Sequence, residues 1–214
     1  ECSGDSVHPV TYELIGKGQE LAGKLGEKVA VCLAGSGVQE LAQELLHYGV
    51  DYVYLYDYPE LEHFRIEPYT GITVDLAEQI KPGIILMGAT PIGRSLAPRV
   101  ATRLRTGLTA DCTVLDVKED GDLVQIRPAF GGDVMAQIVP PRHRPQMATV
   151  RHRVMLPAER VEPRGEIVRC EADGKLLQSK IEILNFRPHE VTSSITDAEI
   201  IVAAGRGIGK PEGL

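Results

Sequence analysis

Strands and helices alternate through the first hundred residues, and most of the strand runs stop at a glycine turn. Lys28 to Leu33 is a β-branched apolar run that ends at Ala34 to Gly37 and passes into Val38 to Tyr48, where leucines stand at 41, 45 and 46. Asp51 to Tyr56 reads as the next strand, Thr73 to Ile80 as a helix and Gly83 to Met87 as a buried strand. Thr90 to Leu104 reads as a helix opened by Pro91, whose missing amide costs nothing at a first position. Upstream, Val10, Leu14, Leu21 and Leu25 mark a helix over Pro9 to Leu25, with Gly16, Gly18 and Gly23 allowing close packing. This order implies an α/β, Rossmann-like parallel sheet with helices on both faces. Such a sheet calls for a strand before the Pro9 helix, where only a few polar residues stand, so the numbering is expected to start inside a longer protein.

After Gly107 the pattern changes to short β runs: Cys112 to Val117, Leu123 to Arg127, Val134 to Val139, Met147 to Met155, Glu166 to Cys170 and Lys180 to Phe186. Asp120-Gly121 and Asp173-Gly174 are read as hairpin turns, which makes this half an antiparallel β extension. Ser193 to Thr196 reads as a linker, and Asp197 to Gly205 as an apolar strand running into a glycine turn. The expected division is therefore residues 1–190 as an amino-terminal α/β domain and 191–214 as a linker plus the first strand of a second domain.

With 214 residues, 43% hydrophobic and 25% charged, the chain has material for one large core. No apolar run reaches the ~18 residues of a membrane span. The first six residues lack the basic and apolar stretches of a secretory signal, and the expected location is cytoplasmic. A formal charge of −7 argues against nonspecific nucleic-acid binding. Cys2, Cys32, Cys112 and Cys170 are far apart and read as buried or incidental thiols, with no metal-ligand spacing. No nucleophile or metalloenzyme motif is present, so no side-chain catalysis is expected.

Four features bear on binding. Gly205, Arg206 and Gly207 follow an apolar run and lead to Gly209; the pattern suits either phosphate held on backbone donors or a plain turn, since Lys210 stands where a dinucleotide fingerprint needs glycine. The Leu33 to Gly37 turn is read chiefly as helix–strand packing by small residues, with a phosphate role as the alternative. Arg127, Phe130, Gly131 and Gly132 bring a cation, a flat ring and bare backbone to one strand end. These groups suit a flavin, whose anionic reduced form an arginine favours, or equally a β-bulge with a surface arginine. Arg142, His143, Arg144, Arg151, His152 and Arg153 form a basic stripe, read as a solvated strand face or a surface for an acidic partner or a flavin phosphate.

Several runs taken in order resemble the electron-transfer flavoprotein alpha subunit: His8 to Leu14, Thr90 to Arg99, Thr106 to Cys112, Arg127 to Gly132, Pro145 to Arg151 and Ala203 to Gly207. The resemblance implies an α/β domain packing on a beta subunit in a heterodimer. FAD would be bound mainly by that subunit and by a carboxyl-terminal domain, of which Gly205, Arg206 and Gly207 are the first turn. It implies electron transfer between dehydrogenases, such as an acyl-CoA dehydrogenase, and a quinone reductase or other acceptor. The Thr106 and Arg127 runs resemble the electron-bifurcating branch, in which a beta-subunit FAD takes hydride from NADH and ferredoxin is one acceptor; Arg127 and its neighbours would face that flavin. Asp133 in place of an asparagine and His152-Arg153 in place of Pro-Gly depart from the family pattern. A nucleotide-binding regulatory module using Leu33 to Gly37 and Gly205 to Gly209 is the competing reading.

Overall fold

The computed structural model describes residues 1–3, 6–187, 200–203, 205, 207 and 209. The chain divides into two units, Glu1–Ile181 and Glu182–Leu214. All the helices and strands named below lie in the first. They are β1 (Cys2–Ser3), β2 (Ser6–Val7), α1 (Pro9–Leu25), β3 (Ala30–Gly35), α2 (Gln39–Leu46), β4 (Tyr52–Asp57), α3 (Ile66–Ile80), β5 (Ile84–Gly88), α4 (Pro91–Arg103), β6 (Leu108–Cys112), β7 (Val114–Val117), β8 (Leu123–Ala129), β9 (Val134–Ile138), β10 (Gln146–Val150), β11 (Glu166–Arg169) and α5 (Gly174–Leu177).

The expected parallel sheet is present as two three-stranded ladders, β11-β4-β3 and β5-β10-β6, with every pairing parallel. α1 and α2 cover one face: Ile15 and Leu45 pack with Leu33 and Val53, while Leu21 meets Ile84, Leu86 and Val150. α3 and α4 cover the other, where Ile72 and Leu76 meet Tyr56, and Val74 and Val100 pack with Ile85, Met87 and Met147. Leu45 and Ile72, at most 1% exposed, each contribute about 2 kcal/mol of apolar burial. α1 begins on Pro9, with His8 Nδ1 accepting from Val10 N at 3.2 Å, and stops at Gly26, whose φ of 69° is left-handed. β7-β8-β9 forms the antiparallel extension, with Gly121 (φ 82°) in the first turn.

The sequence reading of the carboxyl half needs correction in several places. The Met147 run is a parallel strand between β5 and β6 and ends at Val150, and the Glu166 run joins β4 in parallel, so only three of the late strands belong to the antiparallel layer. Strand composition does not reveal ladder partners, because both faces of β10 are buried whichever sheet it enters. The Cys112 run breaks at Thr113 into β6 and β7. Asp173-Gly174 is a helix start, in which the Asp173 carboxylate accepts from Lys175 N at 3.1 Å. Residues 180–186 form no strand. The residues before Pro9 pair as the small antiparallel β1-β2 hairpin.

In the second unit, Ile200, Ile201 and Val202 are exposed and lie in no strand, while the rest of the expected Asp197 to Gly205 strand, apart from Ala203 and Gly205, lies outside the described residues. An isolated apolar run has no ladder to satisfy its amides.

Candidate functional site

β5, β10 and β6 run parallel and finish side by side at Gly88, Val150 and Cys112. The carboxyl end of such strands is where α/β folds place ligands. α4 begins at the same end. Thr90 Oγ1 accepts from Gly93 N at 3.1 Å, and Gly93 lies so close to β5 that an added Cβ would stand 1.8 Å from the Gly88 carbonyl oxygen.

Asp111 occupies the centre of this end. Its φ of 63° turns it out of the β6 register, and its amide donates to Thr149 Oγ1 at 2.9 Å. Arg151, the residue after β10, grips the carboxylate with Nε at 3.2 Å and Nη2 at 2.7 Å. Arg94, in the first turn of α4, stands 3.9 Å from the same group while its Nε donates to the Ala89 carbonyl at 2.9 Å. The hydrogen bonds from Arg151 hold the Asp111 carboxyl below its ordinary 3.8; burial opposes this, and the charges of Arg151, Arg94 and Arg127 add to it. Two guanidinium groups, those of Arg151 and Arg94, thus flank one carboxylate at the strand ends. Beside them the Cys112 thiol is pushed up to about 11, chiefly by burial.

Because its folded value is depressed, Asp111 contributes stability that is complete above its unfolded value near 4 and is lost as pH falls through the lowered one. Asp111→Asn is therefore expected to cost most at pH 7 and progressively less in acid. Urea denaturation of both proteins at pH 7, 4 and 3 checks this, and a difference that does not change with pH contradicts it.

Arg127 lies near the end of β8, and Phe130, Gly131 and Gly132 form the connection from β8 to β9. Arg127 is half-buried, with Nε donating to the Pro128 carbonyl at 3.3 Å. Phe130 has a φ of 48° and is 86% exposed, and Gly131 and Gly132 have φ of 76° and 105°. A non-glycine residue in the left-handed region with its ring in solvent is a costly arrangement for a surface turn. Val134 and Met135 continue the exposed apolar tip.

Gly205 and Gly207, of the second unit, have nothing within 4 Å of an added Cβ, and Arg206 lies outside the described residues. The basic stripe is not continuous: Arg144 precedes β10 and pairs with Asp122 at 2.7 Å, whereas Arg151 follows it, at the opposite end of the strand. The Leu33 to Gly37 turn is built for packing. An added Cβ at Gly35 would meet Val38 Cγ1 at 2.6 Å, and the Gly37 amide already donates to Asp57 Oδ1 at 2.6 Å, so a carboxylate holds the donor a phosphate would use. Sequence reasoning missed the grouping of Asp111 with Arg94 and Arg151. The available signal was an aspartate inside an otherwise apolar strand in a chain with arginines after two other strands.

Residues 2–174 match the electron transfer flavoprotein domain. The chain belongs to the electron transfer flavoprotein family. Among its relatives, subunit LctC of the lactate dehydrogenase (NAD(+),ferredoxin) of Acetobacterium woodii is 54% identical over 203 residues, covering 94% of this chain and 49% of LctC. The electron transfer flavoprotein subunit alpha of Thermoanaerobacterium thermosaccharolyticum is 45% identical, covering 96% and 63%. FixB of Clostridium saccharobutylicum is 47% identical, covering 96% and 62%. The chain thus spans about half to two thirds of the length of the curated relatives it matches. The resemblance to electron transfer flavoprotein alpha subunits holds over nearly the whole chain, and the family is one of flavoproteins. Among the described residues no helix is long and apolar enough to cross a membrane, and no cluster of histidine, cysteine and carboxylate side chains could hold a metal.

Proposed function

We infer that this chain is the amino-terminal part of an electron transfer flavoprotein alpha subunit, working in the cytoplasm as a heterodimer with a beta subunit. Residues 1–190 pack on the beta subunit, and residues 191–214 lead into an FAD-binding domain in which Gly205, Arg206 and Gly207 form the first phosphate turn. The observation that carries the reading is the rim formed by Arg127, Phe130, Gly131 and Gly132. A half-buried arginine, an exposed ring in a left-handed conformation and two glycines suit a partner-borne flavin edge, and Val134 and Met135 supply apolar surface for the partner.

Bound FAD supplies reversible one- and two-electron transfer. This chain's part is electrostatic and steric. Arg127 favours negative charge on the ring nearest it, Phe130 and Met135 exclude water when the partner closes, and the glycines admit the ring edge. Electrons pass from NADH or a dehydrogenase such as an acyl-CoA dehydrogenase to ferredoxin or a quinone reductase. LctC's name, with NAD(+) and ferredoxin in it, favours the bifurcating branch for this chain as well.

Co-purification of the intact alpha and beta subunits tests the reading: a yellow complex is expected, and a colourless one removes it. Within that complex, Arg127→Ala is expected to lower the midpoint potential of the beta-subunit flavin by tens of millivolts, on the order of 1 kcal/mol for one half-buried charge, with assembly intact. Unchanged potentials and unchanged NADH-driven ferredoxin reduction would show that Arg127 does not face that flavin.

A further inference from the structure

β5, β10 and β6 begin side by side, with Ile84 opposite Gln146 and Leu108 opposite Met147. Each is entered from a different part of the chain: β5 from the end of α3, β6 from the end of α4 and β10 from the loop that follows β9. Hydrogen bonds tie the three entries into one surface. Gln146 N donates to the Gly83 carbonyl at 2.8 Å, and Thr106 Oγ1 donates to the Pro145 carbonyl at 2.7 Å. The Gln146 side chain, wholly buried, donates through Nε2 to the Pro140 carbonyl at 2.7 Å and to Asp122 Oδ1 at 3.3 Å, so the loop before β10 is fastened at both ends.

These entries carry one sign of charge. The stretches Lys81 to Ala110 and Val134 to Ala158 contain no aspartate or glutamate, although the chain has 30 of them, and the fold sets the two stretches together because β10 lies between β5 and β6. At the amino end of the ladder this brings Lys81, Arg103, Arg105, Arg142, His143 and Arg144 onto neighbouring loops and helix ends, all of them exposed. Asp122 is taken up by Arg144 at 2.7 Å, and the adjoining hairpin neutralises acids of its own, Asp116 with Lys24 at 2.7 Å and Asp120 with Lys118 at 2.9 Å. Among the described residues no carboxylate pairs with Arg103, Arg105 or Arg142.

The backbone adds a second observation. Lys81 has a φ of 49° and Arg105 a φ of 54°, so the chain leaves both α3 and α4 through the left-handed region on a cation, where glycine would be unstrained. A helix C-terminus attracts cations, which accounts in part for Lys81, Arg103 and Arg105. Arg142 and His143 belong to no helix, and they stand on the same surface.

We propose that the amino end of β5-β10-β6 is a docking surface for the acidic face of a protein partner. Three strands span about 10 Å from β5 to β6, the width of a compact cluster of carboxylates. An extended polyanion such as nucleic acid, or an anionic membrane, would run past the patch onto the rest of a chain whose formal charge is −7, and screening over about 8 Å does not hide that opposing charge from a polymer lying on it. The surface lies at the opposite end of β10 from Asp111 and Arg151, so a partner held here leaves that cluster open. The proposal goes beyond the flavin reading and stands independently of it.

A fluorescein-labelled octaglutamate peptide, standing in for the acidic face, tests the surface by anisotropy with the full-length protein and any subunit that co-purifies with it. Binding at low salt is expected. Replacing Arg103, Arg105 and Arg142 together by serine should weaken it by about tenfold, the combined worth of three exposed ion pairs. The same charge removed from three other exposed cations, Lys28, Arg169 and Lys175, should change it by less than about twofold. Arg105→Gly separates docking from folding: relief of the left-handed backbone should keep Tm from falling, while the peptide still binds less tightly. No binding at low salt, equal losses from the two triple replacements, or an unchanged affinity in Arg105→Gly overturns the proposal. So does duplex DNA, or a phosphatidylglycerol vesicle, bound as tightly as the peptide.

Discussion

Gly93→Ala is expected to destabilise the protein by at least about 3 kcal/mol, the upper part of the usual cost of overpacking. Helix propensity alone predicts the opposite sign, since alanine is favoured over glycine by about 1 kcal/mol inside a helix. Sterics win because the new Cβ would sit 1.8 Å from the Gly88 carbonyl oxygen, a backbone atom at the end of a strand paired with Val150. No side-chain rotation relieves that contact, so α4 must lift off β5, taking with it the first turn that carries Arg94. A loss of 3 kcal/mol corresponds to a fall of roughly 6 to 12 °C in Tm for a chain of this size. Gly88→Ala is the comparison: its Cβ would meet Val10 Cγ1 at 2.8 Å, a side chain that can give way in part, and the loss should be smaller. Thermal denaturation of both variants checks the order; a Gly93→Ala protein as stable as the parent contradicts the packing.

Glu13→Ala should cost about 3 to 5 kcal/mol, because one buried carboxylate serves three backbone donors, and an amide left without a partner costs about 1 to 3 kcal/mol. Glu13 is 7% exposed on α1, and it accepts from Arg153 N at 2.9 Å and from Val154 N and Met155 N at 3.3 Å each. The segment it holds continues across α1 at Gly16, where an added Cβ would be 2.5 Å from the Leu156 carbonyl oxygen, and Ala158 N donates to the Tyr12 carbonyl at 2.9 Å. Glu13 and Gly16, three residues apart on one helix face, thus fasten the strap that leaves β10 immediately after Arg151. Glu13→Gln keeps one acceptor and should lose less than half as much. Denaturant titration measures both losses, and hydrogen exchange over residues 153–158 locates them. Loss of stability without faster exchange in the strap would assign the effect elsewhere.

Much of the fold was legible because its signals are local. Pro9 and Gly26 bound α1, Thr90 and Pro91 open α4, and the β-branched runs at β3, β4 and β5 end within a residue or two of where their patterns stop. Arg127, Phe130, Gly131 and Gly132 fall at one strand end for the same reason, since they lie in one short stretch of chain. The start of α3 at Ile66 was not, because Pro68 and Gly71 obscure its first turns; it is held by contacts with β4 and α5.

What the sequence by itself determined is the class of most elements from α1 to β10 and the family, both written in short runs of neighbouring residues. What only the tertiary structure decided is pairing: which ladder β10 and β11 enter, that Arg144 and Arg151 part company at opposite ends of β10, and that Asp111 meets Arg94 and Arg151. Those contacts join residues 17 to 114 positions apart in the chain, and periodicity carries no record of them. They are set by which apolar faces can be buried together and which charges then find a partner at the strand ends.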